Sequence, residues 1–361
     1  MAALVLYASL YPFSGWRWPA GSGPHALLSL PWPPWLTPQD ELLNLLGYVP
    51  LGLLAFISGV RRGRTAAVAL PAAVVGAALL SYGCEVLQHL LPLRHPSLKD
   101  WLMNTSGAAV GAGIGLLLQG AGALKRWQHL RQRWFVRRSE GALALLALWP
   151  AALLFPTAVP WGLGQIGPRL AETMLAWVDG VSWAAGLALW LAEPPPLEPL
   201  SHLAERVASA LGLSAPVLLA YAVSRPGLHR LWLALGALTL GLAGTTLSTV
   251  LNFGPVHAGS WLTPAALVGA LGAVLVALAL APLPQRAVQV LGVAALLVQL
   301  ALVARAPADP YFAHTLQAWE QGRFVRFHGL AQWVGWLWPF AALGWLLAQV
   351  LRRDGPGRPG P

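Results

Sequence analysis

The chain has 361 residues, of which 57% are hydrophobic and only 10% charged, with a mean hydropathy of +0.59. With repeated apolar runs of about 20 residues, this excludes a water-soluble globular chain and indicates a polytopic helical membrane protein. The net charge of +10 does not indicate a nucleic-acid partner, because the basic residues sit in short segments between apolar runs.

In chain order, apolar stretches near residues 1–13, 42–60, 66–91, 99–118, 141–160, 202–223, 231–250, 264–282, 287–304 and 330–351 are read as spans. The expected architecture is an all-α transmembrane bundle of nine to ten spans. The first stretch, Met1 to Phe13, is too short to cross and has no basic residues ahead of it, so the true start is expected upstream of Met1. Behind Pro168, the residues Leu170, Met174, Trp177 and Val181 recur at helical spacing and predict an amphipathic helix near 165–182, lying on the outer surface. Pro194, Pro195 and Pro196 then break the chain. Three regions are expected: a four-helix membrane unit over 1–120, a basic cytoplasmic linker over 121–139, and a second membrane region of unassigned type over 140–361.

With a cytoplasmic amino terminus, 15 of the 23 lysines and arginines fall on the inner side, most densely in 125–138, and both termini are cytoplasmic. Cys84 is the single cysteine, lies in an apolar run and reads as a packing residue.

Five polar residues interrupt or flank the apolar segments of the first region: Asp40, Asn44, Glu85, Asp100 and Asn104. An ionisable group at mid-bilayer costs at least ~2.5 kcal/mol, so a carboxylate there marks a functional site by default. Asp40 and Asn44 are four apart, on one face of a helix that Pro50 is expected to kink. Glu85 shares a face with Ser81, Gln88 and His89. Asp100, Asn104, Gly107, Gly111 and Gly115 fall within an arc of roughly 80°, so the face carrying two GxxxG steps is expected to pack against a partner helix within the chain. All five polar residues gather at the outer end of their helices. The loop Leu91 to Lys99 adds Arg94, His95 and Lys99, giving one mixed-charge pocket, or a salt-bridge and amide network that pins the helices.

The strings DELLNLLGYVPLGLL and SYGCEVLQHLLPLRHPSLKDWLMNTSGAAVGAGIG resemble the VanZ-like family in order, spacing and residue type, over about residues 1–120. The resemblance implies that the family's marked positions fall on Asp40, Asn44, Pro50, Glu85, Gln88, Arg94, Asp100 and Asn104. It also implies a cell-envelope setting in the bacterial inner (cytoplasmic) membrane, since the family's namesake is associated with low-level resistance to the glycopeptide teicoplanin. It implies no reaction.

The remaining two thirds carry no assignable motif. Their histidines, His129, His202, His229, His257, His314 and His328, are scattered along the chain, so no metal and no cofactor are expected. In 322–339, Arg323, Arg326 and His328 lead into Trp333, Trp336 and Trp338; the tryptophans read as interfacial anchors, and the three basic groups are secondary candidates for contacts to a lipid phosphate. The favoured reading is a protein that binds a membrane lipid or lipid-linked envelope precursor at the outer face, through Asp40, Asn44, Glu85, Gln88, Arg94, Asp100 and Asn104. The alternatives are a membrane enzyme using Glu85 or Asp100 as general acid or base, and a proton-coupled transporter or flippase. No nucleophile accompanies the carboxylates, so the reading leans away from an enzyme.

Overall fold

A computed structural model describes residues 1–11, 13–19, 21, 23–33, 38–192, 197–307 and 325–352. Among these are fourteen α-helices and, in place of any strand, one isolated antiparallel bridge between Phe135 and Ser224. The all-α expectation holds. The chain divides into two compact units, Met1–Arg131 and Gln132–Pro361.

The first unit contains α1 (Ala2–Leu10), α2 (Pro24–Leu27), α3 (Pro38–Arg61), α4 (Ala66–Gln88) and α5 (Leu98–Gly120). The next helix, α6 (Ala123–Trp134), is basic, has no buried residue, and lies within the segment expected to be a linker. The glycine stripe of α5 packs on α3, as its spacing predicts. A Cβ at Gly107 would lie 2.9 Å from the Leu45 carbonyl carbon, and one at Gly111 would lie 2.8 Å from that of Val49. Gly115 meets the Phe56 ring, and on α3 Gly52 meets the backbone of Ala108. Only hydrogen fits at these positions, so the two backbones approach as closely as small-residue interfaces permit.

The second unit contains α7 (Glu140–Ala152), α8 (Gly167–Val178), α9 (Ala185–Ala192), α10 (His202–Val223), α11 (His229–Phe253), α12 (Pro264–Leu280), α13 (Gln285–Val303) and α14 (Val325–Leu351). Helix α10 is the axis of this unit. It is buried from Gly212 to Val223 and packs against α7, α11, α12, α13 and α14, as expected of a helix that is apolar or small-residue all round. Helix α8 exposes Leu170, Met174 and Trp177, the spaced apolar residues that predict it.

Seven helices among the described residues are long and apolar enough to cross a membrane: Glu41–Arg61, Ala66–Gln88, Leu98–Gly120, His202–Val223, His229–Phe253, Gln285–Val303 and Ala331–Leu351. Three of the ten expected spans are shorter as helices: α1 with 9 residues, α7 with 13 and α12 with 17. The stretch 141–160 is therefore not one helix. Pro150 lies near the end of α7, Pro156 and Pro160 follow, and from Leu153 to Ile166 the chain is irregular yet buried at Leu153, Phe155, Val159, Trp161 and Leu163.

Irregular backbone in an apolar setting needs protein partners for its polar groups. The Leu154 carbonyl accepts from Ser248 Oγ at 3.0 Å and Asn252 Nδ2 at 3.2 Å, and Gly164 N donates to the Gly335 carbonyl at 3.1 Å. Trp161 holds a φ of +62°, uncommon for a bulky residue, while its indole N–H donates to the Gly241 carbonyl at 3.3 Å.

Candidate functional site

In the first unit the chain runs up α3, back along α4 and up α5. The start of α3, the end of α4 and the start of α5 therefore meet at one end. On α4, Ser81, Glu85 and Gln88 follow one another at spacings of four and three residues, so they share a face, and all three are buried.

Each makes a different tie. Asn104 of α5 donates from Nδ2 to Ser81 Oγ at 3.0 Å, Glu85 Oε2 accepts from the backbone N–H of Ser97 at 2.9 Å, and Gln88 Nε2 donates to the Ser9 carbonyl at 3.1 Å. Ser97 also caps α5, its Oγ accepting from Asp100 N at 3.1 Å. One serine thus joins the Glu85 carboxylate to the first turn of α5.

Arg94, half-buried, turns toward α1. Its Nε donates to the Tyr11 carbonyl at 2.9 Å and one terminal nitrogen donates to the carbonyls of Ala8 and Tyr11. These are the carbonyls left over at a helix carboxyl end, where a cation is also favoured by the helix dipole. Lys99 pairs with Glu41, both partly exposed at 26% and 31%. Glu41 was not among the expected site residues. Tyr48, one helical repeat beyond Asn44 on α3, buries its hydroxyl beside Ser81, Ser9, Cys84 and Glu85.

Of the expected residues, Glu85, Gln88, Arg94, Asp100 and Asn104 are thus joined through Ser81, Ser97 and α1. Asn44 lies half-buried on α3 four residues before Tyr48, and Pro50 sits inside the continuous helix α3. Asp40 falls in the first turn of α3, with its side chain outside the described residues. Arg323 lies outside them entirely, as do the side chains of Arg326 and His328.

The missed participants had signals. Ser97-Leu98-Lys99-Asp100 is a Ser-x-x-Asp helix start, and Tyr48 extends the four-residue spacing of Asp40 and Asn44. Ser9 had none, because only its carbonyl is used.

The knot is almost entirely side chain to backbone or hydroxyl. Within it, the Asn104 Oδ1 acceptor is buried with no hydrogen-bond partner among the described residues. Among those residues no three His, Cys, Asp or Glu side chains come together in a way that would hold a metal ion.

No curated protein and no solved structure matches the chain. The family model described as VanZ/LLP1 matches residues 4–119, which runs from within α1 to the last turn of α5 and takes in the whole polar knot. The chain is therefore a helical membrane protein whose amino-terminal segment is VanZ-like.

Proposed function

We propose that the VanZ-like unit binds the head group of a lipid-linked cell-envelope component at the end where α3, α4 and α5 meet, facing the outer side of a bacterial cytoplasmic membrane with both termini inside. The observation that carries this reading is Asn104. Its amide is oriented by Ser81 on helices locked by the glycine stripe, and its Oδ1 is a buried acceptor with no donor among the described residues. An unmet buried acceptor costs about 1–3 kcal/mol, which a donor on a ligand would recover. The partly exposed Lys99 and Glu41 lie at the same end and supply charge of both signs for a head group.

A second reading has its own support. Gln88, Arg94 and Asn104 all spend donors on neighbouring helices, as a knot that merely pins the bundle would. Lipid mass spectrometry on the purified full-length protein separates the two. A co-purifying lipid-linked sugar or polyprenyl phosphate, lost in Asn44→Leu while the protein remains folded, supports head-group binding. Lipid content that matches bulk membrane and is unchanged in Asn44→Leu leaves the pinning role. Glu85→Gln removes the titrating group; loss of envelope-antibiotic sensitivity phenotypes in it, with lipid retained, would direct attention to carboxylate chemistry instead.

A further inference from the structure

At one end of the second unit, two chain connections lie side by side. The link from α6 to α7 pairs with the link from α10 to α11: Arg225 N donates to the Trp134 carbonyl and Val136 N to the Val223 carbonyl, both at 2.9 Å. Beneath them Arg230 is fully buried and ties the Tyr221 and Ser224 carbonyls to those of Ala281 and Leu283. Gln285 adds a bond to the Ser224 carbonyl at 3.0 Å. These bonds fix the two links, and beside them lies an open cleft of about 490 Å³ lined by Arg133, Trp134, Arg225, Leu228, His229 and Trp232.

The lining of this cleft has a definite chemistry. Arg133 and Arg225 are exposed, and neither guanidinium has an ion-pair partner among the described residues. His229 stacks on Trp134 with ring centroids 5.2 Å apart, and its Nε2 is buried without a hydrogen-bond partner among the described residues. Among the described residues no carboxylate lines the cleft. Helix α11 begins here, so the positive end of its dipole adds to the two cations.

The rim is apolar and open: Leu228 is 81% and Trp232 67% exposed, and both continue into the lipid-length apolar helix α11. A free anion would need the cations but not this rim. A lipid needs both, its phosphate between the guanidiniums and its chains along Trp232 and Leu228.

We propose that this cleft is a binding site for the phosphate of an anionic membrane phospholipid, with Arg133 and Arg225 as its donors and Trp232 and Leu228 as the bed for its acyl chains. The site belongs to the second unit and is independent of the reading given for the first.

The test is native mass spectrometry of the full-length protein in detergent, with equal amounts of dioleoylphosphatidylglycerol and dioleoylphosphatidylcholine added. The wild type should hold one phosphatidylglycerol at detergent levels that strip phosphatidylcholine. Arg133→Ala with Arg225→Ala should weaken that retention about 30-fold, the effect of removing two interfacial cations. The double lysine variant should keep most of it. Arg133→Gln with Arg225→Gln preserves side-chain bulk and carries the same expectation as the alanine pair should that pair fail to fold. Trp232→Ala should weaken phosphatidylglycerol retention while leaving any binding of inorganic phosphate alone unchanged. Equal retention of the two lipids by the wild type, or undiminished phosphatidylglycerol retention without the two arginines, would overturn the proposal. Inorganic phosphate binding as tightly as phosphatidylglycerol would show a free-anion site and overturn it equally.

Discussion

Gly107 and Gly113 lie on the same helix, six residues apart, and their surroundings could hardly differ more. A Cβ at Gly107 would fall 2.9 Å from the Leu45 carbonyl carbon and closer still to its oxygen, while a Cβ at Gly113 would meet nothing within 4 Å. Ordinary contact begins at 3.4 Å, and the obstacle is backbone, which has no rotamer to change. Gly107→Ala therefore has to push α5 off α3 by about 1 Å, an overpacking whose cost reaches about 3 kcal/mol.

Alanine also favours a helix over glycine by ~1 kcal/mol at both positions. The net expectation is about 2 kcal/mol of destabilisation for Gly107→Ala and a small stabilisation for Gly113→Ala. Cys84, the single cysteine, is buried in the same unit beside Tyr48 and Ala108, so its reaction with a thiol reagent reports the opening of this unit alone. Labelling of Cys84 in the purified protein should speed up about 30-fold in Gly107→Ala and not at all in Gly113→Ala. Equal rates in the two variants would refute the claim that the stripe is a backbone contact surface.

Two further perturbations probe cations that serve the fold. Arg230→Met takes a donor from four carbonyls in the second unit, those of Ala281 and Leu283 among them, and should cost about 2–5 kcal/mol, seen as a lower melting temperature in detergent; Arg230→Lys, with fewer donors, should recover only part of it, and a melting temperature unchanged in the methionine variant would contradict the role assigned. Arg94→Ala frees the end of α1, so amide exchange in residues 2–11 should rise about tenfold or more while exchange in α5 stays slow; unaltered protection of α1 would mean that the ties to Ala8 and Tyr11 contribute nothing.

Much of the candidate site was legible because its information is local. The spacing of Asp100, Asn104, Gly107, Gly111 and Gly115 fixes a common helix face whatever the face meets, and the reversal of chain direction between long apolar helices brings Asp40, Glu85 and Asp100 to one end. What could not be read was the partner of each group. Lys99, adjacent in sequence to Asp100, pairs with Glu41, 58 residues away. The run 141–160 looked uniform to a hydropathy reading. Its helix nevertheless ends at Ala152, because Pro150, Pro156 and Pro160 remove backbone donors and because donors from α11 are in place to meet the freed carbonyl of Leu154.

Arg230 draws the line most clearly. By sequence it is one more basic residue between two apolar runs, counted toward membrane orientation. In the fold it is completely buried, without an acidic partner in its hydrogen-bond set, and is held by carbonyls at the ends of α10 and α12 and by the Tyr221 ring 5.3 Å away. Apolar length and helical period are properties of adjacent residues, so the sequence alone determined a helical membrane protein, its glycine-striped face and the end where its polar residues gather. The burial of Arg230 depends on two helix ends, separated by more than fifty residues of chain, turning their negative poles toward the same point, and only the tertiary structure decided that.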